Sequence, residues 1–209
     1  MHRAIVSIIF WMLLCLKAIA VGQGGQPKDP TLIVVGLAND VKHEAWRDMR
    51  VGLGLRVILS QLFFDTNRFS LREEKPEMRK HLDTLSTTLW MGGQQEKGLY
   101  ELLRTRWGKG SDYAAYGRVV FFGRPRSRSS MGPLHANKRS VEIHVEVTLL
   151  NLKTGKRIKK KGKGRSATSA SSVIFEFRES QLTLDKTHIG NATRSALSNA
   201  VEKVMKAYR

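Results

Sequence analysis

The stretch VEIHVEVTL, residues 141–149, decides the fold: Val141, Ile143, Val145, Val147 and Leu149 alternate strictly with Glu142, His144, Glu146 and Thr148. Successive side chains of a pleated strand point to opposite faces, so this period of two makes a β-strand with one dry face and one wet face. Upstream, YAAYGRVVFF (113–122) reads as a second strand. TLIVVGL (31–37) is a short, continuous, β-branched run of the kind buried on both faces of a sheet. Downstream, NLKTGKR (151–157) contains a Thr-Gly turn, residues 158–170 lead into a return strand, and SVIFEF (172–177) is a further short β-like piece.

Helical periods fill the spaces between. After the first strand, Asp40 is expected to cap a helix with Glu44 in its early turns. Trp46, Met49, Leu53, Val57 and either Ser60 or Gln61 form its apolar stripe, with Arg47, Arg50 and Arg56 largely off it. RFSL (68–71) is a short strand. Residues 75–89 form a second helix on Met78, Leu82, Leu85 and Leu89, broken by Gly92 and Gly93. Leu99, Leu102, Leu103 and Trp107 mark a third helix ending at Gly108 and Gly110. Thr187 caps a last helix carried by Ile189, Ala192, Ala196, Ala200, Val204 and Met205, whose small alanines let it lie close to a sheet. The sum is an α+β domain, a mixed sheet flanked by helices.

The chain has 209 residues, 41% hydrophobic and 8% aromatic, with a net charge of +18. This describes one globular domain with a basic surface and excludes a low-complexity chain, a disulfide scaffold and a collagen. Residues 1–20 read as a signal peptide. His2 and Arg3 start it, residues 4–16 are its apolar run, and Ala18-Ile19-Ala20 is an A-x-A cleavage site. Residues 21–30 (VGQGGQPKDP) are a flexible leader, and residues 31–209 the single domain. Cys15, the only cysteine, lies in the apolar run, and Leu14 holds the place where an acylated cysteine needs a small residue. A cysteine-free exported chain suits a bacterial periplasm.

Charge is concentrated. Residues 124–165 hold thirteen Lys or Arg against Glu142 and Glu146, and residues 153–165 (KTGKRIKKKGKGR) hold eight. The second segment reads as the tip of a basic hairpin. Lys156, Arg157, Lys159, Lys160, Lys161, Lys163 and Arg165 are its candidate contacts to an anionic surface, an acidic partner or lipid. Nucleic acid is not expected, because few aromatics lie nearby for stacking and an exported protein rarely meets it. No phosphate-binding glycine loop, nucleophile elbow or zinc-protease motif occurs, and the six histidines show no ligand spacing. Glu142, His144 and Glu146 share one strand face and read as its wet side. No catalytic residue, metal or cofactor is expected, and the chain reads as a non-enzyme.

Three segments carry a family resemblance: Asp112-Tyr113-Ala114-Ala115-Tyr116-Gly117, then Val145 through Leu149 running on to Thr154-Gly155, then Ile189-Gly190-Asn191-Ala192-Thr193-Arg194-Ser195-Ala196. In this order they resemble the CsgG family of curli production assembly and transport proteins. The resemblance covers most of residues 31–205. It implies a CsgG-like (anticodon-binding, TolB-N-terminal-like) domain with a largely antiparallel sheet. Asp112, Tyr113, Gly117, Thr154, Gly155, Gly190, Ala192 and Ala196 are then structural family positions. Gly117 and Gly155 suit a tight strand end and a hairpin turn, while Gly190, Ala192 and Ala196 suit close helix-on-sheet packing.

The family's best-known member is an outer-membrane lipoprotein that exports amyloid subunits through a ring-shaped pore of β-hairpins. This sequence departs from it in the missing lipid-bearing cysteine. It departs also at residues 123–140 and 160–182, where membrane hairpins are expected but the chain is short and basic, which disfavours lipid-facing strands. The resemblance implies envelope assembly proteins as partners, a homo-oligomeric ring, contact with the outer membrane or anionic lipid, and a curli-type secretion or assembly role. A second reading stands beside it: a soluble periplasmic binding or regulatory module, similar to the small domains that activate peptidoglycan synthases or brace flagellar rings, using the basic hairpin to bind an acidic partner.

Overall fold

The computed structural model describes residues 29–41, 43–72, 76–92, 96–123, 126–127, 138–168, 176–178, 181–183 and 188–208. The proposed signal peptide and most of the leader therefore lie outside the described residues, as do the Thr187 cap and the first part of the 172–177 piece. The strands are β1 (Thr31–Asn39), β2 (Ser70–Leu71), β3 (Tyr113–Gly123), β4 (Arg126–Ser127), β5 (Lys138–Asn151), β6 (Arg157–Thr168), β7 (Glu176–Arg178) and β8 (Gln181–Thr183). The helices are α1 (Met49–Phe64), α2 (Pro76–Trp90), α3 (Glu96–Trp107) and α4 (His188–Ala207), with a 3-10 turn at Glu44–Trp46.

The main sheet runs β2-β1-β3-β5-β4, with β6 on the far side of β5. β1 pairs in parallel with β2 and β3, and the β3–β5, β4–β5 and β5–β6 pairs are antiparallel. The fold is thus α+β with a mixed, largely antiparallel sheet. β5 is its spine. Arg139 pairs with Arg126 on one side and Thr168 on the other, which leaves β6 as an edge strand among the described residues.

One face of the sheet is covered by α1 and α4. There Val141, Ile143, Val145, Val147 and Leu149 of β5 share one core with Val51, Leu55, Leu59 and Phe63 of α1, which lies over β1, and with Ile189, Ala192, Ala196, Leu197 and Val204 of α4, which lies over β5 and β6. Each of these large side chains contributes about 1.5–3 kcal/mol on leaving water, so β5 is held in register; a slip by one residue would bury Glu142 and Glu146 instead. A smaller second core lies on the opposite face, where Ile33, Val35, Ala114, Tyr116, Leu150 and Leu152 meet Leu82 and Leu89 of α2 and Leu99, Leu103 and Trp107 of α3.

The structure corrects the expected start and face of α1. Its N-cap is Asp48, whose carboxylate accepts from the Arg50 N–H at 2.9 Å, while Asp40 lies before the 3-10 turn and pairs with Arg118 at 3.4 Å. Trp46 is buried in that 3-10 turn, and Met49 and Val57 of the expected stripe are exposed. Gly117 lies within β3 instead of at a strand end: a Cβ there would meet the Glu146 carbonyl oxygen at 2.6 Å, so only glycine lets β3 and β5 approach.

Candidate functional site

The β5–β6 pairing converts the basic segment into an ordered row. Residues 153–165 are not a hairpin tip: the chain turns at residues 152–155, and β6 begins at Arg157. Register sets Lys161 opposite Glu146, Lys163 opposite His144 and Arg165 opposite Glu142. Lys159, Lys161, Lys163 and Arg165 therefore share the wet face of the sheet with Glu142, His144, Glu146 and, from β3, Arg118. Alternate residues of a strand stand about 6.8 Å apart, so the four cations span roughly 20 Å.

Lys160 is exposed but points the other way, with Gly162 and Gly164, toward α4. Lys156 lies in the turn, where its N–H donates to the Thr154 hydroxyl at 3.3 Å. The Arg157 guanidinium sits over the Tyr100 ring of α3, 5.7 Å from its centroid. The seven sequence candidates thus resolve into four on one face, one on the other, one in the turn and one against α3.

Glu142 anchors the row. Its Oε1 accepts from Lys163 Nζ at 2.7 Å and from His144 Nε2 at 2.8 Å, and its Oε2 from Arg165 Nη2 at 2.6 Å. It is only 8% exposed because these side chains lie over it and not because it enters the core. The Lys163, Arg165 and His144 hydrogen bonds, in that order of weight, pull its carboxyl down to about 2. An ionised carboxylate accepts only, so the His144 Nε2 carries the proton in this contact. Glu146 pairs with Arg118 Nε at 3.3 Å and with Lys159 Nζ at 3.5 Å. The His144 ring lies against Phe121, 4.7 Å between centroids. Counting Arg118, five cations face two glutamates on this surface. Arg118 was not picked out in the sequence, because β3 reads there as a mostly apolar run, and a bulge between Val119 and Phe121 shifts its register.

The positions that carry the sequence resemblance lie outside this row. Asp112 joins three strands: its carboxylate accepts from the Thr31 N–H at 2.9 Å and pairs with Lys153 Nζ at 2.5 Å, and its carbonyl accepts from the Leu152 N–H at 2.9 Å. Tyr113 packs its ring against Phe69 and Tyr208. Thr154 and Gly155 form the β5–β6 turn, Gly155 at φ +74° with Tyr100 beside it. Gly190, Ala192 and Ala196 are buried on α4. Ala192 and Ala196 bring that helix down onto Gly162 and Gly164, where a Cβ would lie 2.6 Å from a helix backbone nitrogen.

No family model and no curated protein matches this chain. Solved structures do. The hypothetical protein CT253 from Chlamydia trachomatis shares the fold, with a TM-score of 0.51 at 10% identity over 84% of this chain and 95% of that one. The lipoprotein GNA1162 from Neisseria meningitidis matches with a TM-score of 0.45 at 11% identity, over 68% and 87% of the two chains. A PelC dodecamer from Paraburkholderia phytofirmans gives 0.42 at 10%, over 85% and 87%.

Among the described residues, no group of three or more His, Cys, Asp and Glu is placed to hold a metal ion. No helix among them is long and apolar enough to cross a membrane. The Glu142–His144 pair makes a poor general base: a carboxyl held near 2 and already accepting from three donors has little capacity to take a proton near neutral pH. What the surface offers instead is fixed positive charge.

Proposed function

We propose that the chain is an exported, non-enzymatic, CsgG-like envelope protein that acts as a subunit or accessory of an outer-membrane secretion or assembly machine. In this reading, its place there depends on contact with an anionic surface. The observation that carries the reading is the row Lys159, Lys161, Lys163 and Arg165 on one open sheet face, five cations with Arg118 against Glu142 and Glu146. Two further features support it. The residues of the resemblance have structural roles of the kind it implies, Asp112 tying β1 to the start of β3 and to the β5–β6 turn, and α4 resting on β6 through alanines. The wet-face glutamates are engaged with cations, and His144 with Glu142, rather than presented to a substrate.

Each Lys or Arg near an anionic membrane is worth about 1 kcal/mol at physiological salt, so reversing two of them is expected to weaken association at least tenfold. Lys159→Glu with Lys161→Glu is the informative variant, since it leaves Glu142 with Lys163 and Arg165. The measurement is co-sedimentation of the mature chain with phosphatidylglycerol vesicles at low salt. Unchanged binding by the double variant, or wild-type binding that survives 1 M salt, where screening acts within about 3 Å, overturns the reading. Cell fractionation and the native mass with and without mild detergent then separate a membrane-held oligomer from a soluble periplasmic monomer, the state in which the second sequence reading would apply.

A further inference from the structure

On the open face of the sheet, one side chain does not match the charge around it. Phe121 of β3 is 43% exposed. It pairs across the strands with His144, which pairs in turn with Lys163, so its ring stands on the wet face, between Arg118 and Gly123 along β3. Among the described residues it is the exposed large apolar side chain that belongs to the sheet; Met49, Val57, Phe64, Met91 and Leu102 lie on or beside helices. The ring reaches over Gly123, where a Cβ would meet its Cζ at 2.6 Å, and it lies 4.7 Å from the His144 ring, centroid to centroid. Its neighbours fix its place, and the part they leave uncovered faces solvent beside the cationic row.

That row carries a surplus of charge and not a set of free cations. Glu142 takes Lys163, Arg165 and His144, and Glu146 takes Arg118 and Lys159. Asp40 adds a third carboxylate at Arg118, so three carboxylates meet five cations. Lys161, opposite Glu146 in register, has no ion pair among the described residues. Helices α2 and α3 cover this side of the sheet at the end marked by Ala114, Tyr116, Leu150 and Leu152. Beyond that end Phe121, Lys161, Lys163 and Arg165 are exposed.

A soluble polyanion is held by cations alone and gains nothing from a phenyl ring among them. A bilayer offers both contacts: anionic headgroups, and about 5–10 Å deeper an acyl boundary that takes an aromatic ring out of water. Lys and Arg spread their charge to the headgroups on long apolar stems around such a ring. We propose that the anionic surface met by this face is a lipid bilayer, and that the Phe121 ring enters it while β3, β5 and β6 rest on the headgroups. This rests on the reading that the row contacts an anionic surface, and adds the chemistry of the partner and the side chain that enters it.

The probe is a phosphatidylglycerol vesicle doped with phosphatidylcholine brominated at a set depth of its acyl chains. Trp46, Trp90 and Trp107 are buried, so Phe121→Trp gives the mature chain an indole that a bilayer can reach. Lipid brominated near the headgroup is expected to quench its emission more than lipid brominated near the chain ends, and to leave the wild-type emission unchanged. Phe121→Ser is expected to weaken vesicle binding about fivefold and to keep its salt dependence, whereas Lys159→Glu with Lys161→Glu lowers both. A thermal melt checks that each variant folds, and the tryptophan variant, which keeps a ring, gives a reading even where serine does not. The proposal is overturned if vesicle-bound Phe121→Trp is not quenched, or if folded Phe121→Ser binds vesicles as the wild type does. Polyglutamate that binds as tightly as the vesicles, and equally to Phe121→Ser, would make the partner an acidic protein instead. Failure of the wild type to bind vesicles at all is a separate outcome, which removes the membrane-contact reading and this proposal with it.

Discussion

At the scale of single residues, Glu142 is the group whose chemistry is most altered by the fold. In the unfolded chain a glutamate titrates near about 4.3; in the folded chain Lys163, Arg165 and His144 hold its carboxyl at about 2. A depressed folded value means that the folded state favours the ionised form. The resulting stability is fully present above the unfolded value and is lost as pH falls from about 4.3 through about 2. Glu142→Gln removes that component and leaves Lys163 and Arg165 facing one another without a counter-charge. We expect the variant to be less stable than the wild type at neutral pH, with the difference shrinking through that acid window until the two coincide near its lower end. Denaturant melts at a series of pH values measure this, and parallel curves for the two proteins across the window would refute it. The same substitution is expected to leave the cationic row in place, so vesicle binding should survive in E142Q even as acid sensitivity changes.

At the scale of elements, the contrast between β5 and β6 explains what the sequence disclosed. β5 was legible because its dry face is made of Val, Ile and Leu and its wet face of Glu, His and Thr, a pattern with a period. β6 was legible only as a return strand that residues 158–170 lead into, because the face it turns to α4 includes Gly162 and Gly164, which contribute no hydrophobic signal; the matching signal lay 30 residues away in Ala192, Ala196 and Ala200. The lysines on its other face then read as a hairpin tip, when the register against Glu142 and Glu146 shows a strand. α1 failed for the opposite reason. It carries two apolar stripes, and a period of 3.6 cannot choose between them. The glycine contact is testable. Gly162→Ala puts a methyl group 2.6 Å from the Ala200 backbone nitrogen and 2.8 Å from its Cβ, and neither helix nor strand can yield without parting. Overpacking of this kind costs about 1–3 kcal/mol and more where backbone must move, so we expect a loss of about 3 kcal/mol. A denaturant midpoint within experimental error of the wild type would show that α4 does not rest on β6 as described.

At the scale of the whole molecule, the two faces of the sheet are not equally strong, and the difference follows from how each helix meets its strand. On one face, α1 lies over β1 and α4 over β5 and β6, and α4 is close enough for Lys203 Nζ to reach the Lys161 carbonyl at 3.1 Å and for Asn199 to accept from the Lys163 N–H at 3.4 Å. Those two contacts also occupy outward-facing backbone groups of the β6 edge, which limits pairing with another chain. On the other face, α3 joins the smaller core through Leu99, Leu103 and Trp107, and the sheet beyond it stays open as the charged surface. Regions with fewer buried apolar contacts open locally before the whole chain unfolds. Native-state hydrogen exchange should therefore find residues 143–149 of β5 and 192–204 of α4 exchanging only through global unfolding, and residues 99–107 of α3 at least tenfold faster. If α3 exchanged as slowly as β5, the two cores would unfold as one unit and the charged face would be braced as firmly as the covered one. Fast exchange confined to α3 would instead mean that the face carrying Lys159, Lys161, Lys163 and Arg165 keeps its geometry from β5 and α4 alone. α3 could then open without disturbing the cationic row.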